Sequence, residues 1–178
     1  CAFDPSVNGV GLAIGCALYL AKGPDYCAKL YKGQNVVLSR DYKQVADWVA
    51  HGNYPIGLAV ASTYLADYVK AGIKFANVSM PDVLWGINGG FGLVALLNHA
   101  PHPNAARVFA NWMASKEGMA LYAKLQSSAP ARNDIDPSSW VPPDLIPKPG
   151  VKYLDTYDYD FEINQRSKIR DIFAQMLK

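Results

Sequence analysis

The stretch Asn35-Val36-Val37-Leu38-Ser39-Arg40-Asp41 decides the fold, because a compact β-branched run gives way at once to residues that open a helix. Ser39 is placed to cap that helix, in which Tyr42, Val45, Ala46, Val49 and Ala50 recur at spacings of three and four until His51-Gly52-Asn53 stops it. The pattern then repeats. Pro55-Ile56-Gly57-Leu58-Ala59-Val60 is a continuous apolar run of the kind a strand buried on both faces needs, and Ser62-Thr63 opens a helix that reaches Ala71-Gly72. A β-α-β-α rhythm predicts an α/β fold with a mostly parallel sheet flanked by helices.

Outward from this unit, Val10 to Ala21 reads as a buried helix stopped by Lys22-Gly23-Pro24, and Asp25 to Tyr31 as a second short helix ending at Gly33. Downstream, Phe75 to Ser79 reads as a strand cut at Pro81, and Gly89-Gly90 introduces the apolar run Phe91 to Leu97 as a strand of the second half. The rigid loop His99-Ala100-Pro101-His102-Pro103 leads into two amphipathic helices, Asn104 to Ala114 and Lys116 to Gln126, with Ser115 placed to cap the second. Six prolines between Pro130 and Gly150 predict an extended, irregular surface connector. A last helix, from about Glu162 to Leu177, places Ile163, Ile169, Ile172, Phe173 and Met176 on its apolar positions. The domain boundary falls near Met80-Pro81, which gives segments 1–80 and 81–178.

Composition narrows the function. The 178 residues are 51% hydrophobic and 18% charged, enough apolar content for a real core, and 17 Lys plus Arg against 15 Asp plus Glu leave a net charge of +2. No Lys/Arg cluster supplies the basic patch from which nucleic-acid binding starts. The longest apolar stretch, Val10 to Ala21, falls short of the roughly 18 residues of a helical membrane span. The sequence opens on Cys1 with no charged n-region and apolar h-region, so any targeting peptide has been removed or lies outside it. Cys1, Cys16 and Cys27 contain no CxxC pair, which argues against a zinc site and a disulfide framework. Cys16 reads as a small core residue, and a Cys16–Cys27 bridge is the alternative for an exported chain.

Catalytic and cofactor motifs are missing: no GxSxG elbow, no Walker loop, and a Gly9-x-Gly11-x-x-x-Gly15 spacing that is not the dinucleotide fingerprint and instead fits tight helix packing. His99 and His102 have no third ligand nearby in sequence, so no metal site is expected. Two strand-to-helix junctions remain. Ser39-Arg40-Asp41 and Ser62-Thr63-Tyr64 gather hydroxyls and free backbone N–H groups at the carboxyl ends of adjacent strands, where the helix dipole and the planar fork of Arg40 favour an anion. The alternative is ordinary capping by Ser39 and Ser62, with Arg40 on the surface.

Asp4-Pro5, Gly33 to Asp41, and above all Gly89 to Ala106, followed by Phe109, Trp112, Ser115, Glu117 and Gly118, resemble the periplasmic substrate-binding proteins of ABC importers, in their iron(III)-type branch. The resemblance covers roughly residues 4–136. It implies a two-lobed, type II periplasmic-binding clamp that closes over its ligand, with residues 1–80 forming part of the second lobe and 81–178 returning to the first. Such proteins are usually nearly twice this long, so the resemblance implies a C-terminal fragment without the N-terminal part of the fold, free to self-associate through the surface left bare.

Iron binders of that branch place adjacent tyrosines after the strand corresponding to Ile56 to Val60. Here Thr63 stands in the place of one and Tyr64 in the place of the other, which leaves ferric iron one phenolate short and favours a small organic or inorganic anion. The resemblance then implies hydrogen bonds from Ser62 and Thr63, charge held by Ser39 and Arg40, an apolar wall from Trp85 or Tyr64, no metal, cofactor or catalysis, and a membrane permease as partner of a periplasmic protein. An effector-sensing domain of a transcription regulator shares the architecture and is the alternative. An enzyme on the same scaffold would need a positioned acid, base or nucleophile, and Asp41, Asp67 and Asp82 offer no recognisable pairing.

Overall fold

The computed structural model describes residues 1–78, 80–86, 94–143, 145–156 and 158–178. It divides into two compact units, one of Cys1–Ile87 with Lys152–Lys178 and one of Asn88–Val151. The sequence places the boundary near Met80-Pro81. The units divide later, and the last helix joins the first unit, because that helix buries its apolar face against the first helix of the chain.

In the first unit, β1 (Ala2–Phe3) pairs in parallel with β2 (Leu38–Ser39). On its other side β1 meets Leu58, with Phe3 N–H donating to Leu58 O at 3.1 Å and Leu58 N–H to Cys1 O at 2.9 Å. β1 is thus the central strand of a small parallel sheet, and each of its flanks leads into a helix: α2 (Tyr42–Ala50) after β2 and α3 (Ser62–Lys70) after Leu58. The α/β architecture read from the sequence is present, on shorter strands than expected. Pairing falls on Leu38–Ser39 and not on Asn35 to Leu38, since Asn35 takes a left-handed φ of 51°. The run from Pro55 to Val60 makes one bridge and no strand: Ile56 is 75% exposed, and Ala59 turns the backbone with φ 60°. A doubly buried strand needs cover on both faces, and Ile56 is mostly uncovered.

α1 (Val10–Tyr31) contains both helices expected from the sequence, joined at a kink where Gly23 adopts φ 80°, ψ 174° ahead of Pro24. Proline supplies no N–H and clashes with the preceding turn, and glycine takes the positive φ without penalty, so the pair bends the helix here. The expected packing glycines lie on the first half: a Cβ on Gly11 would meet the Phe3 and Asp4 carbonyl oxygens at 2.7 and 2.6 Å, and one on Gly15 would meet the Phe173 ring at 2.9 Å. Leu12, Cys16, Leu18, Cys27 and Tyr31 form the core with Ile169 and Phe173 of α6 (Arg166–Met176), which a π-helical turn, Phe161–Gln165, precedes. Ile163, read as apolar-face, is exposed on that turn, because the wider turn shifts the helical register. All three cysteines are free thiols, with Cys16 and Cys27 buried.

The stretch 75–78 is irregular and Val78 is exposed, so the strand expected at Phe75 to Ser79 is absent from the described residues, Ser79 lying outside them. Residues 91–93 of the strand expected at Phe91 to Leu97 also lie outside them, and residues 94–97 are irregular with Val94, Leu96 and Leu97 exposed.

In the second unit, α4 (Pro103–Ala114) and α5 (Lys116–Leu125) form a helical hairpin that turns on Ser115, as the sequence indicates. The Ser115 hydroxyl donates to Trp112 O at 2.6 Å and accepts from Gly118 N–H at 3.1 Å, closing one helix and capping the next. The proline-rich stretch has no regular element among its described residues and is held by Trp140 Nε1–H donating to Ser128 O and by Arg132, which reaches Ala114 O and Asp134. Among the described residues no helix is long and apolar enough to cross a membrane.

Candidate functional site

Parallel pairing places the carboxyl ends of β1, β2 and the Leu58 segment along one edge, and the first turns of α1, α2 and α3 follow from it. The edge is therefore built from Asp4 to Gly9, Ser39 to Gln44 and Ala59 to Tyr64.

Asp4 is its anchor. The residue is 7% exposed, and its carboxylate accepts from Ser6 N–H at 2.7 Å, Ser6 Oγ–H at 2.6 Å and Arg40 Nε–H at 2.8 Å. Burial pushes this carboxyl up, yet the Ser6 and Arg40 hydrogen bonds and the guanidinium charge together outweigh it and hold Asp4 below its ordinary value. Arg40 belongs to this edge as expected, and its side chain is 69% exposed with one nitrogen engaged by Asp4. Sequence reasoning weighed Asp4 only within a resemblance. Its local signal is the carboxylate two residues ahead of Ser6, an Asx-turn geometry that fixes the chain leaving β1.

The capping residues differ from those expected. Asp41, and not Ser39, caps α2, accepting from Lys43 N–H at 2.8 Å and Gln44 N–H at 3.2 Å. Ser39 is the last residue of β2, so its hydroxyl sits one step early; it accepts from Asp41 N–H at 3.0 Å and donates to Gln44 Oε1 at 2.5 Å. Nor does Ser62 cap α3: Ala61 holds the N-cap position, no side chain caps the helix, and Ser62 is its first residue. The two helix ends therefore differ. Asp41 fills the N-terminus of α2 with a carboxylate of its own, whereas α3 begins with uncapped N–H groups beside the Ser62 and Thr63 hydroxyls, which have no hydrogen-bond partners among the described residues.

Aromatic rings tie the edge together. Phe3 stacks on Tyr42 with centroids 4.2 Å apart and planes 13° apart, and Tyr42 stacks on Tyr64 at 5.8 Å and 11°. Gly9, the N-cap of α1 at φ 128°, lets the Tyr42 phenol lie against the backbone, where any Cβ would collide with Tyr42 Oη. Tyr42 and Phe3 escaped sequence reasoning as site residues, because a strand aromatic and a helix-face tyrosine carry the same period as any core position. Trp85 lies elsewhere: it packs against the hydrophobic core, and its carbonyl accepts from Leu154 N–H. An open groove of about 390 Å³ between the start of α1 and α6 is lined by Asn8, Leu12, Glu162, Arg166, Ser167 and Arg170, with Arg166 paired to Glu162 and Arg170 to Asp171. Among the described residues no three His, Cys, Asp or Glu side chains group to hold a metal ion.

The arrangement presents hydrogen-bond donors, one exposed guanidinium and an aromatic face, which suit capture of a small molecule. Residues 19–147 match the profile of the bacterial extracellular solute-binding proteins. No curated protein and no solved structure matches the chain significantly.

Proposed function

Because the chain belongs to the bacterial extracellular solute-binding protein family, we propose that it captures a small anionic ligand at the strand-end edge and delivers it to the permease of an ABC importer, without catalysing a reaction. Substrate binding in transport and export from the cytoplasm follow from the family; the anion, the permease and a periplasmic location are the finer reading. The observation that carries the anion is the start of α3, which no side chain caps: the backbone N–H groups and hydroxyls of Ser62 and Thr63 have no partner among the described residues, while the Tyr64 N–H already donates to Ala61 O at 3.0 Å. Arg40, fixed by Asp4 but largely exposed, supplies the charge, and Tyr64 the wall. Ser39 acts through the loop, since its one proton is given to Gln44.

The test is thermal unfolding of the protein against a panel of carboxylates, phosphate and sulfate. A ligand at a hundred times its dissociation constant adds about 2.7 kcal/mol of stability, and Arg40→Ala is expected to erase the gain. If no anion in the panel raises the melting temperature, the proposal fails.

A further inference from the structure

We infer that the ligand carries a planar unsaturated ring beside its anionic group, and that the ring seats on Tyr64 as the next member of the Phe3–Tyr42–Tyr64 stack; this rests on the solute-binding reading above.

The three rings lie nearly parallel, at 13° and 11°, and this distinguishes them from Tyr31–Phe173, Trp48–Tyr54 and His51–Tyr68 among the described residues of the first unit, which meet edge-on at 62–81°. An edge-on pair ends in a ring edge, whereas a parallel ladder ends in an open π-face. Here the ladder is anchored at its inner end, where Phe3 is 3% exposed, and reaches solvent at its outer end, where Tyr64 is 44% exposed and stacks on no further ring among the described residues. Tyr42 cannot slide away beneath it, since its phenol is seated against Gly9. The flat face is therefore held in place before any ligand arrives, and little ordering is needed to use it.

The ladder also stands where the charge chemistry is. Tyr64 is the third residue of α3, one position beyond Thr63, so its ring rises from the same turn in which Ser62 and Thr63 offer N–H groups and hydroxyls to an anion. Phe3 precedes Asp4, which holds Arg40. A ring with an attached carboxylate meets both features at once, whereas phosphate, sulfate or a short acyclic acid leaves the Tyr64 face in water.

The probes are benzoate, with succinate and inorganic phosphate as ringless anions, titrated into the full chain by calorimetry and by proton NMR of the ligand. Benzoate is expected to bind about tenfold tighter than either ringless anion, with its ring protons shifted upfield by the Tyr64 ring current. Tyr64→Leu is expected to remove both the tenfold preference and the shift, and Tyr64→Phe to keep them. The half-exposed position of Tyr64 keeps either variant folded, and the upfield shift in the unmodified protein reads the stack without any variant. Succinate or phosphate binding as tightly as benzoate, with loss in Arg40→Ala and none in Tyr64→Leu, overturns the ring and leaves the solute-binding reading standing. Absence of binding by all three probes and by the wider anion panel overturns both.

Discussion

Asp4 and Arg40 form one ion pair but are expected to differ in what they contribute, and the difference decides whether Arg40 is available to a ligand. Arg40→Ala removes a guanidinium whose side chain is 69% exposed, so solvent screens most of the attraction and the cost is under about 1 kcal/mol. Asp4→Ala removes an acceptor 7% exposed that holds the Ser6 N–H at 2.7 Å and the Ser6 hydroxyl at 2.6 Å. Bonds to a charged acceptor contribute roughly 1.5–3 kcal/mol each when buried, and water recovers part of that at the half-buried Ser6, which leaves about 2–3 kcal/mol for the pair. At about 4 °C per kcal/mol for a unit of this size, Asp4→Ala lowers the melting temperature by roughly 8–12 °C and Arg40→Ala by less than about 4 °C. The pH dependence follows from the same group. The folded carboxyl sits below its ordinary value, so its stabilisation is present above the ordinary carboxylate range and is lost as pH falls through the folded value, and Asp4→Asn flattens that loss. Circular dichroism melts of the three variants from pH 7 to pH 3 measure both effects. Equal destabilisation by Arg40→Ala and Asp4→Ala would refute the reasoning, because the guanidinium would then be a structural strut.

Gly9→Ala forces a Cβ into Tyr42 Oη at φ 128°, so it is expected to unseat the aromatic ladder and to cost at least about 1–3 kcal/mol; near-ultraviolet dichroism of the tyrosines reads the loss. Phe173→Ala empties a fully buried site against Gly15 and Tyr31 and is expected to cost about 3–5 kcal/mol in denaturant unfolding. Ser115→Ala removes the shared cap of α4 and α5 at about 1 kcal/mol, seen as faster hydrogen exchange at Gly118. Burial pushes the Cys16 and Cys27 thiols up to about 11, so iodoacetamide at pH 8 is expected to label Cys1 and to spare the other two until the protein unfolds, as peptide mass spectrometry would show.

The parts of this fold that were legible in the sequence are those whose cause is local. The kink of α1 follows from Gly23-Pro24, the hairpin of the second unit from Ser115 between two amphipathic periods, the extent of α2 from its apolar spacing and that of α3 from Ser62-Thr63 at its start and Ala71-Gly72 at its end. Strands were less legible, because an apolar run such as Pro55 to Val60 states that a segment can be buried and leaves open how much of it is covered; Leu58 packs against the core, whereas Ile56 is largely exposed. The cap of α2 lies two positions beyond Ser39, at Asp41, because serine and aspartate compete for one role and the end of β2 decides between them. Of the site, Arg40, Ser62, Thr63 and Tyr64 were placed on one edge by the strand-to-helix rhythm alone. Asp4 and the Phe3–Tyr42 stack were not, since their roles arise from pairing between segments more than thirty residues apart.

Native mass spectrometry of the purified protein, compared with its mass after denaturation, tests the central claim most directly. Solute binding predicts a small non-covalent adduct on the 19.4 kDa chain that is lost on denaturation, or one that forms when a ring-bearing carboxylate is added and fails to form with Arg40→Ala. A bare chain under every condition, with the same mass before and after denaturation, would contradict it.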